Sequence, residues 1–130
     1  MKDKITSVVC STISFDDKIL TVQKSTKMTL PLKWEFLTGK TESGASEIEC
    51  IKREIFEELN IKIELKKRLT SAIHQYPNYK AKLIPFTAEY LSGELQLIEH
   101  SQYILAYNKE LINLDWAEAD LPILKEFIEL

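Results

Sequence analysis

Glu57 and Glu58 follow Glu54 by three and four residues, the spacings that return to one face of a helix. Glu47, seven residues before Glu54, falls on the same side. Like charges at these spacings repel and weaken a helix by roughly a few tenths of a kcal/mol per pair, a cost that a divalent cation would remove. Carboxylates converging at a helix edge suit Mg²⁺ or Mn²⁺, hard ions that take oxygen ligands in octahedral geometry and keep positions open for phosphate oxygens. A solvated acidic face accounts for the same residues. Glu58 favours the metal reading, because it borders the apolar stripe of its helix, where a carboxylate is normally paired or metal-bound. Arg53 stands beside the cluster and is placed to orient one of its members.

The element that presents these side chains carries its own start and stop signals. Ser46-Glu47-Ile48-Glu49 has the Ser-x-x-Glu form of a capping box, in which each side chain meets the other residue's free backbone N–H. Ile48, Ile51, Ile55 and Leu59 recur at helical spacing and predict one apolar stripe facing the core. Asn60 then suits the left-handed conformation of a helix end. Upstream, Ile5 to Ile13 and Ile19 to Gln23 read as a hairpin across Asp16-Asp17. Ser25 to Lys33 reads as loop, Trp34 to Phe36 as a short strand, and Thr38 to Gly44 as a second loop. Downstream, Ile61 to Leu65, Leu69 to Tyr76, Lys82 to Leu91 and Gln102 to Tyr107 read as strands, with Pro85 marking an edge or a bulge. Leu121 to Leu130, with Pro122 in its first turn, reads as a closing helix. Strands on both sides of one central helix indicate an α+β sandwich.

The chain has 130 residues, 45% of them hydrophobic, which suits one domain over 1–130 with a single core. Its 17 Lys and Arg against 20 Asp and Glu leave a net charge of −3, so nothing recommends long nucleic acid as a partner. The apolar stretch Ile5 to Ile13 is too short and too interrupted for a membrane span or a leader, and a cytoplasmic protein, monomer or homodimer, is expected. Cys10 and Cys50 form no CxxC pair or disulfide framework and are expected as buried thiols. With only Gly39, Gly44 and Gly93, no dinucleotide-binding loop exists. Gly39 and Gly44 have P-loop spacing, but Ala45 stands where that loop needs its lysine.

Gly39-Lys40-Thr41-Glu42-Ser43-Gly44-Ala45, then seven residues, then Arg53-Glu54-Ile55-Phe56-Glu57-Glu58-Leu59-Asn60-Ile61 closely resembles the Nudix box. The likeness extends to the MutT-like pyrophosphohydrolases, including those that prefer cytidine nucleotides. Trp34 to Lys40 looks like that group's Trp-Glu-Phe-Pro-Gly-Gly-Lys entry to the box, and Gln23-Lys24 its Gln-Arg pair. Ile98-Glu99-His100 resembles its Glu-His before the last strand, and Trp116 to Leu124 the segment in which a polar residue reads the base. The resemblance implies an α/β/α sandwich with a mixed central sheet, the box as loop-helix-loop and a closing C-terminal helix.

It also implies Mg²⁺-dependent hydrolysis of a nucleoside triphosphate to nucleoside monophosphate and pyrophosphate, on a CTP, dCTP or oxidised dGTP substrate. By resemblance Glu54, Glu57, Glu58 and Glu99 hold Mg²⁺ (or Mn²⁺), one glutamate serves as general base, and Arg53 holds a glutamate in place. Lys24 meets phosphate, and Asp120 reads the base. Glu35, Phe36, Thr38 and Tyr76 are expected at the substrate, Phe36 and Tyr76 as candidate stacking platforms. Asp120 is equally placed to cap the last helix. His74 and His100 match no metal spacing with each other and are expected to be structural. Ala45 departs from the pattern by replacing the box's first Glu, leaving only Glu42 or Glu47 to compensate. Leu37 and Thr38 stand for Pro-Gly, and Asn60 for Gly. A nucleotide-binding module that has lost catalysis, or a purely structural acidic helix, would fit the same departures.

Overall fold

The structure, a computed structural model, describes residues 5–28, 31–41 and 44–130. The β-branched N-terminal run forms β1 (Ile5–Phe15), which turns at Asp16-Asp17 into β2 (Lys18–Gln23). Asp16 supplies the left-handed φ of 59° that the tight hairpin needs, a conformation short polar side chains tolerate. β2 leaves β1 beyond Leu20, and β3 (Trp34–Glu35) and β4 (Leu37–Lys40) fill the fork. β3 pairs with β2, and β4 pairs with β1 through Val8↔Lys40 to Ser11↔Leu37. The expected loop from Thr38 to Gly44 is therefore a strand as far as Lys40, because β1 has open backbone groups there once β2 has gone.

α1 (Glu47–Leu59) begins where its cap predicts. Ser46 Oγ accepts the Glu49 N–H at 3.1 Å, and Asn60 ends the helix at φ 61° with its N–H on Phe56 O. Ile51, Ile55 and Leu59 are fully buried, each contributing about 1.5–3 kcal/mol on leaving water. Ile48 does not join them. It is 46% exposed, and Cys50 takes the core position in the first turn. Acidic Glu47 and Glu49 in that turn complement the helix dipole.

β5 (Lys62–Arg68), β6 (Ala72–Gln75) and β7 (Lys80–Ser92) complete one side of the sheet. The fully charged end of β5 is tolerated because β5 is an edge strand. β7 is parallel to β1, and on its other side it pairs first with β6 and then with β5. Pro85 sits in this buried central strand where the partner changes. Its carbonyl accepts the Leu69 N–H, so its missing N–H also faces the gap between β5 and β6, where no ladder bond is lost. β8 (Gln102–Ala106) borders β2, and α2 (Asn108–Leu111), a 3₁₀ turn (Glu118–Asp120) and α3 (Leu121–Ile128) end the chain. The sequence reading contained neither α2 nor the 3₁₀ turn.

Alternation along β1 divides the core. Val9 and Ile13 meet α1 in one cluster, while Cys10 meets Trp116, Leu124 and Phe127 in the other. The result is a mixed sheet between helical layers. Both cysteines are buried free thiols, and no helix among the described residues is long and apolar enough to cross a membrane.

Candidate active site

A cleft of about 1190 Å³ runs from the acidic edge of α1 to the 3₁₀ turn before α3. At one end, Glu54 lies directly over Gly39, and any Cβ at that residue would collide with the Glu54 side chain. Close approach, rather than a special φ, makes this glycine necessary. Arg53 reaches Glu54 Oε1 at 3.5 Å with Nη2 and Glu57 Oε1 at 3.6 Å with Nε. Glu58 lines the same end, and its Oε2 is buried without a hydrogen-bond partner. Burial pushes its carboxyl above the ordinary value, and negative Glu99, Glu54 and Glu57 add to the rise while His100 opposes it. Glu99, exposed in the loop before β8, thus shares the field of the helix glutamates.

Among the described residues no three His, Cys, Asp or Glu side chains already stand close enough to hold a metal ion. The donor set nevertheless fits a hard divalent cation. It is all carboxylate oxygen, it concentrates like charge, and it contains an orphaned buried oxygen that a cation would satisfy. Glu47 and Glu57 are not among the residues that line the cleft, and Arg68 Nη1 holds Glu47 Oε1 at 2.6 Å. Ala45 instead packs against the α1-side core. Glu42, the other expected compensator, lies outside the described residues.

The far end is built from buried polar groups. Glu35 and His100 are nearly inaccessible and meet at 2.9 Å between Oε2 and Nε2. Asp120 is 5% exposed, and its Oδ1 accepts the Phe36 N–H at 3.4 Å. Burial, reinforced by Glu35, pushes its carboxyl up to about 8, against the Phe36 N–H and Lys24. Its protonated form is accordingly favoured at neutral pH. Asp120 makes no side-chain bond to the start of α3 and has helical φ and ψ, so the expected cap is not formed. The preceding 3₁₀ turn aims the side chain at Phe36 instead.

Phe36 is fully buried, 4.7 Å from Trp116 and 6.5 Å from Phe127 between ring centroids. It is a core residue and offers no stacking face, because in the fork between β1 and β2 it points into the α3-side core. Tyr76 does line the cleft, half-buried, its hydroxyl pushed up to about 12 by burial and by neighbouring Tyr79, Asp120 and Glu35. Thr38 lines it between Leu37 and Gly39 with its backbone paired to Cys10, and Lys24 lines it at the end of β2. Four cleft contributors, Met28, His74, Gln75 and Tyr79, have no candidate binding role in the sequence reading. For His74 its two-residue strand spacing from Tyr76 was the available signal.

One cleft in a mixed sheet between helices thus holds glutamates packed on a glycine at one end and buried polar groups beyond them. Residues 4–128 match the NUDIX domain, and the chain belongs to the Nudix family as a Nudix pyrophosphohydrolase. It is 29% identical over 127 residues to the CTP pyrophosphohydrolase of Escherichia coli K12, covering 98% of this chain and 94% of that one. The solution structure of the MutT protein of methicillin-resistant Staphylococcus aureus 252 superposes with a TM-score of 0.79 at 32% identity, covering 98% of each chain. That of the E. coli ORF135 protein gives 0.87 at 28%, covering 98% of this chain and 91% of that one.

Proposed function

We propose that this chain cleaves a cytidine-type nucleoside triphosphate, CTP or dCTP, to nucleoside monophosphate and pyrophosphate in a Mg²⁺-dependent reaction. The observation that carries the base class is Asp120, buried at the cleft end away from α1, where its raised pKa of about 8 favours the protonated acid. A carboxylic acid donates from its O–H and accepts at its carbonyl. That pair complements the adjacent ring acceptor and amino donor of cytosine, whereas an ionised carboxylate would favour the two donors of a guanine edge. The named activity of the E. coli relative agrees with this reading.

In this proposal Glu54, Glu57, Glu58 and Glu99 would hold Mg²⁺, which when bound neutralises phosphate charge and lowers the pKa of water. Arg53 keeps Glu54 and Glu57 in place, and Lys24 pairs with a phosphate. Water forms the new P–O bond, the bridging P–O bond between the α and β phosphoryl groups breaks, and the water proton passes to a glutamate. Tyr76 offers its ring to the base.

The alternative is a nucleotide-binding domain with weakened catalysis. It is favoured by Ala45 in place of a carboxylate and by the capture of Glu47 by Arg68. One assay separates the two: pyrophosphate release from CTP, dCTP and oxidised dGTP with Mg²⁺, beside a Glu57→Gln control. Release from a cytidine substrate that the control lacks supports the proposal. Nucleotide-dependent thermal stabilisation without release supports the alternative.

A further inference from the structure

The turn joining β6 to β7 is more constrained than an exposed hairpin requires. The Tyr76 N–H donates to Tyr79 O at 2.8 Å. Gln75 Nε2 donates to both Tyr76 O, at 2.6 Å, and Tyr79 O, at 3.2 Å, so one side-chain amide ties the two ends of the turn together. The Tyr76 and Tyr79 rings stack at 4.9 Å and 19°. His74, two residues earlier on the same strand face, meets Tyr76 edge to face at 4.6 Å and 74°. The whole group lines the wall of the cleft that also contains Asp120.

A tyrosine that must be immobilised on binding costs affinity through lost rotamer freedom, while one already held by neighbours does not. On the reading that Tyr76 faces the nucleobase, we propose that Gln75 and Tyr79 are positioning residues that hold the Tyr76 ring ready to stack on that base. The turn then sets base affinity without touching the phosphates. Tyr79 is 41% exposed, so its truncation leaves the core intact.

The test is calorimetric, with cytidine monophosphate and inorganic pyrophosphate as separate probes in the presence of Mg²⁺. Tyr79→Ala and Gln75→Ala should weaken the monophosphate about three- to tenfold, leave pyrophosphate unchanged, and keep a cooperative melt. Tyr79→Phe should retain wild-type affinity, since the stacked ring remains. Unchanged monophosphate binding in Tyr79→Ala overturns the proposal. So does an equal loss for both probes, or a wild-type protein that binds pyrophosphate but no nucleoside monophosphate. Pyrophosphate release from CTP is scored independently, so a failure of the proposed reaction is distinguishable from a failure of this positioning role.

Discussion

Replacing Asp120 with Asn removes a titrating group while keeping the shape and the oxygen that accepts the Phe36 N–H. In the folded chain the acid titrates near 8, against 3.8 for an unperturbed side chain. Between those values the folded state holds a proton that the unfolded state has released, so stability falls as pH rises. The contribution is fully present below about pH 4 and is lost progressively up to about pH 8. At about 1.36 kcal/mol per pH unit, the wild type carries a penalty of about 4 kcal/mol at pH 7 that Asp120→Asn escapes. For a domain of this size that is roughly 10–20 °C in Tm. Thermal melts of both proteins by circular dichroism from pH 4 to 8.5 cancel every other titrating group in the difference. The two curves should meet near pH 4 and diverge towards pH 8, the variant being more stable. Parallel curves, or a gap that closes with rising pH, would refute a neutral buried Asp120. The same titration should lower kcat/KM towards a cytidine substrate as pH passes 8, since ionisation removes the donor.

Three other substitutions probe the acidic end. Glu58→Gln should raise Tm in metal-free buffer, because it removes a desolvated charge among like charges, and should cut turnover at least about a hundredfold; near-normal rates would remove Glu58 from the chemistry. Ala45→Glu should lower the Mg²⁺ concentration for half-maximal activity, measured by titration of the initial rate, and no change would mean that the remaining carboxylates suffice. Gly39→Ala should destabilise by about 1–3 kcal/mol in denaturant unfolding by forcing Glu54 away, and should impair activity with it; wild-type stability would show that the contact relaxes freely.

What was legible beforehand was whatever is encoded locally. Ser46 and Asn60 bracket α1 with cap chemistry that needs no partner beyond one turn of helix, and the box glutamates follow from its periodicity. What was not legible depends on residues distant in the chain. Glu35 and His100 are 65 positions apart and Phe36 and Asp120 are 84 apart, so no spacing rule links them. Phe36 is misleading because an aromatic residue in a strand suits a cleft wall as well as a core, and only the fork shows which face it takes. β4 was hidden because Gly39 and Lys40 are weak strand formers, held extended by the open edge of β1 rather than by propensity. Ile48 obeys the periodicity, yet Cys50 takes the buried position in the first turn.

The segment that fills the fork between β1 and β2 acts as a ruler. Through the Phe36 N–H it fixes Asp120 at one end of the cleft, through Gly39 it fixes Glu54 at the other, and through Glu35 it holds His100 between them. The three strand steps from Phe36 to Gly39 span at most roughly 10 Å along the chain. A one-residue insertion between Glu35 and Gly39 would lengthen that interval by a strand step and turn the following side chains to the opposite face. Tolerance of length changes should therefore be lowest here, and any related chain acting on a longer diphosphate would have to gain its reach from the loops around the cleft.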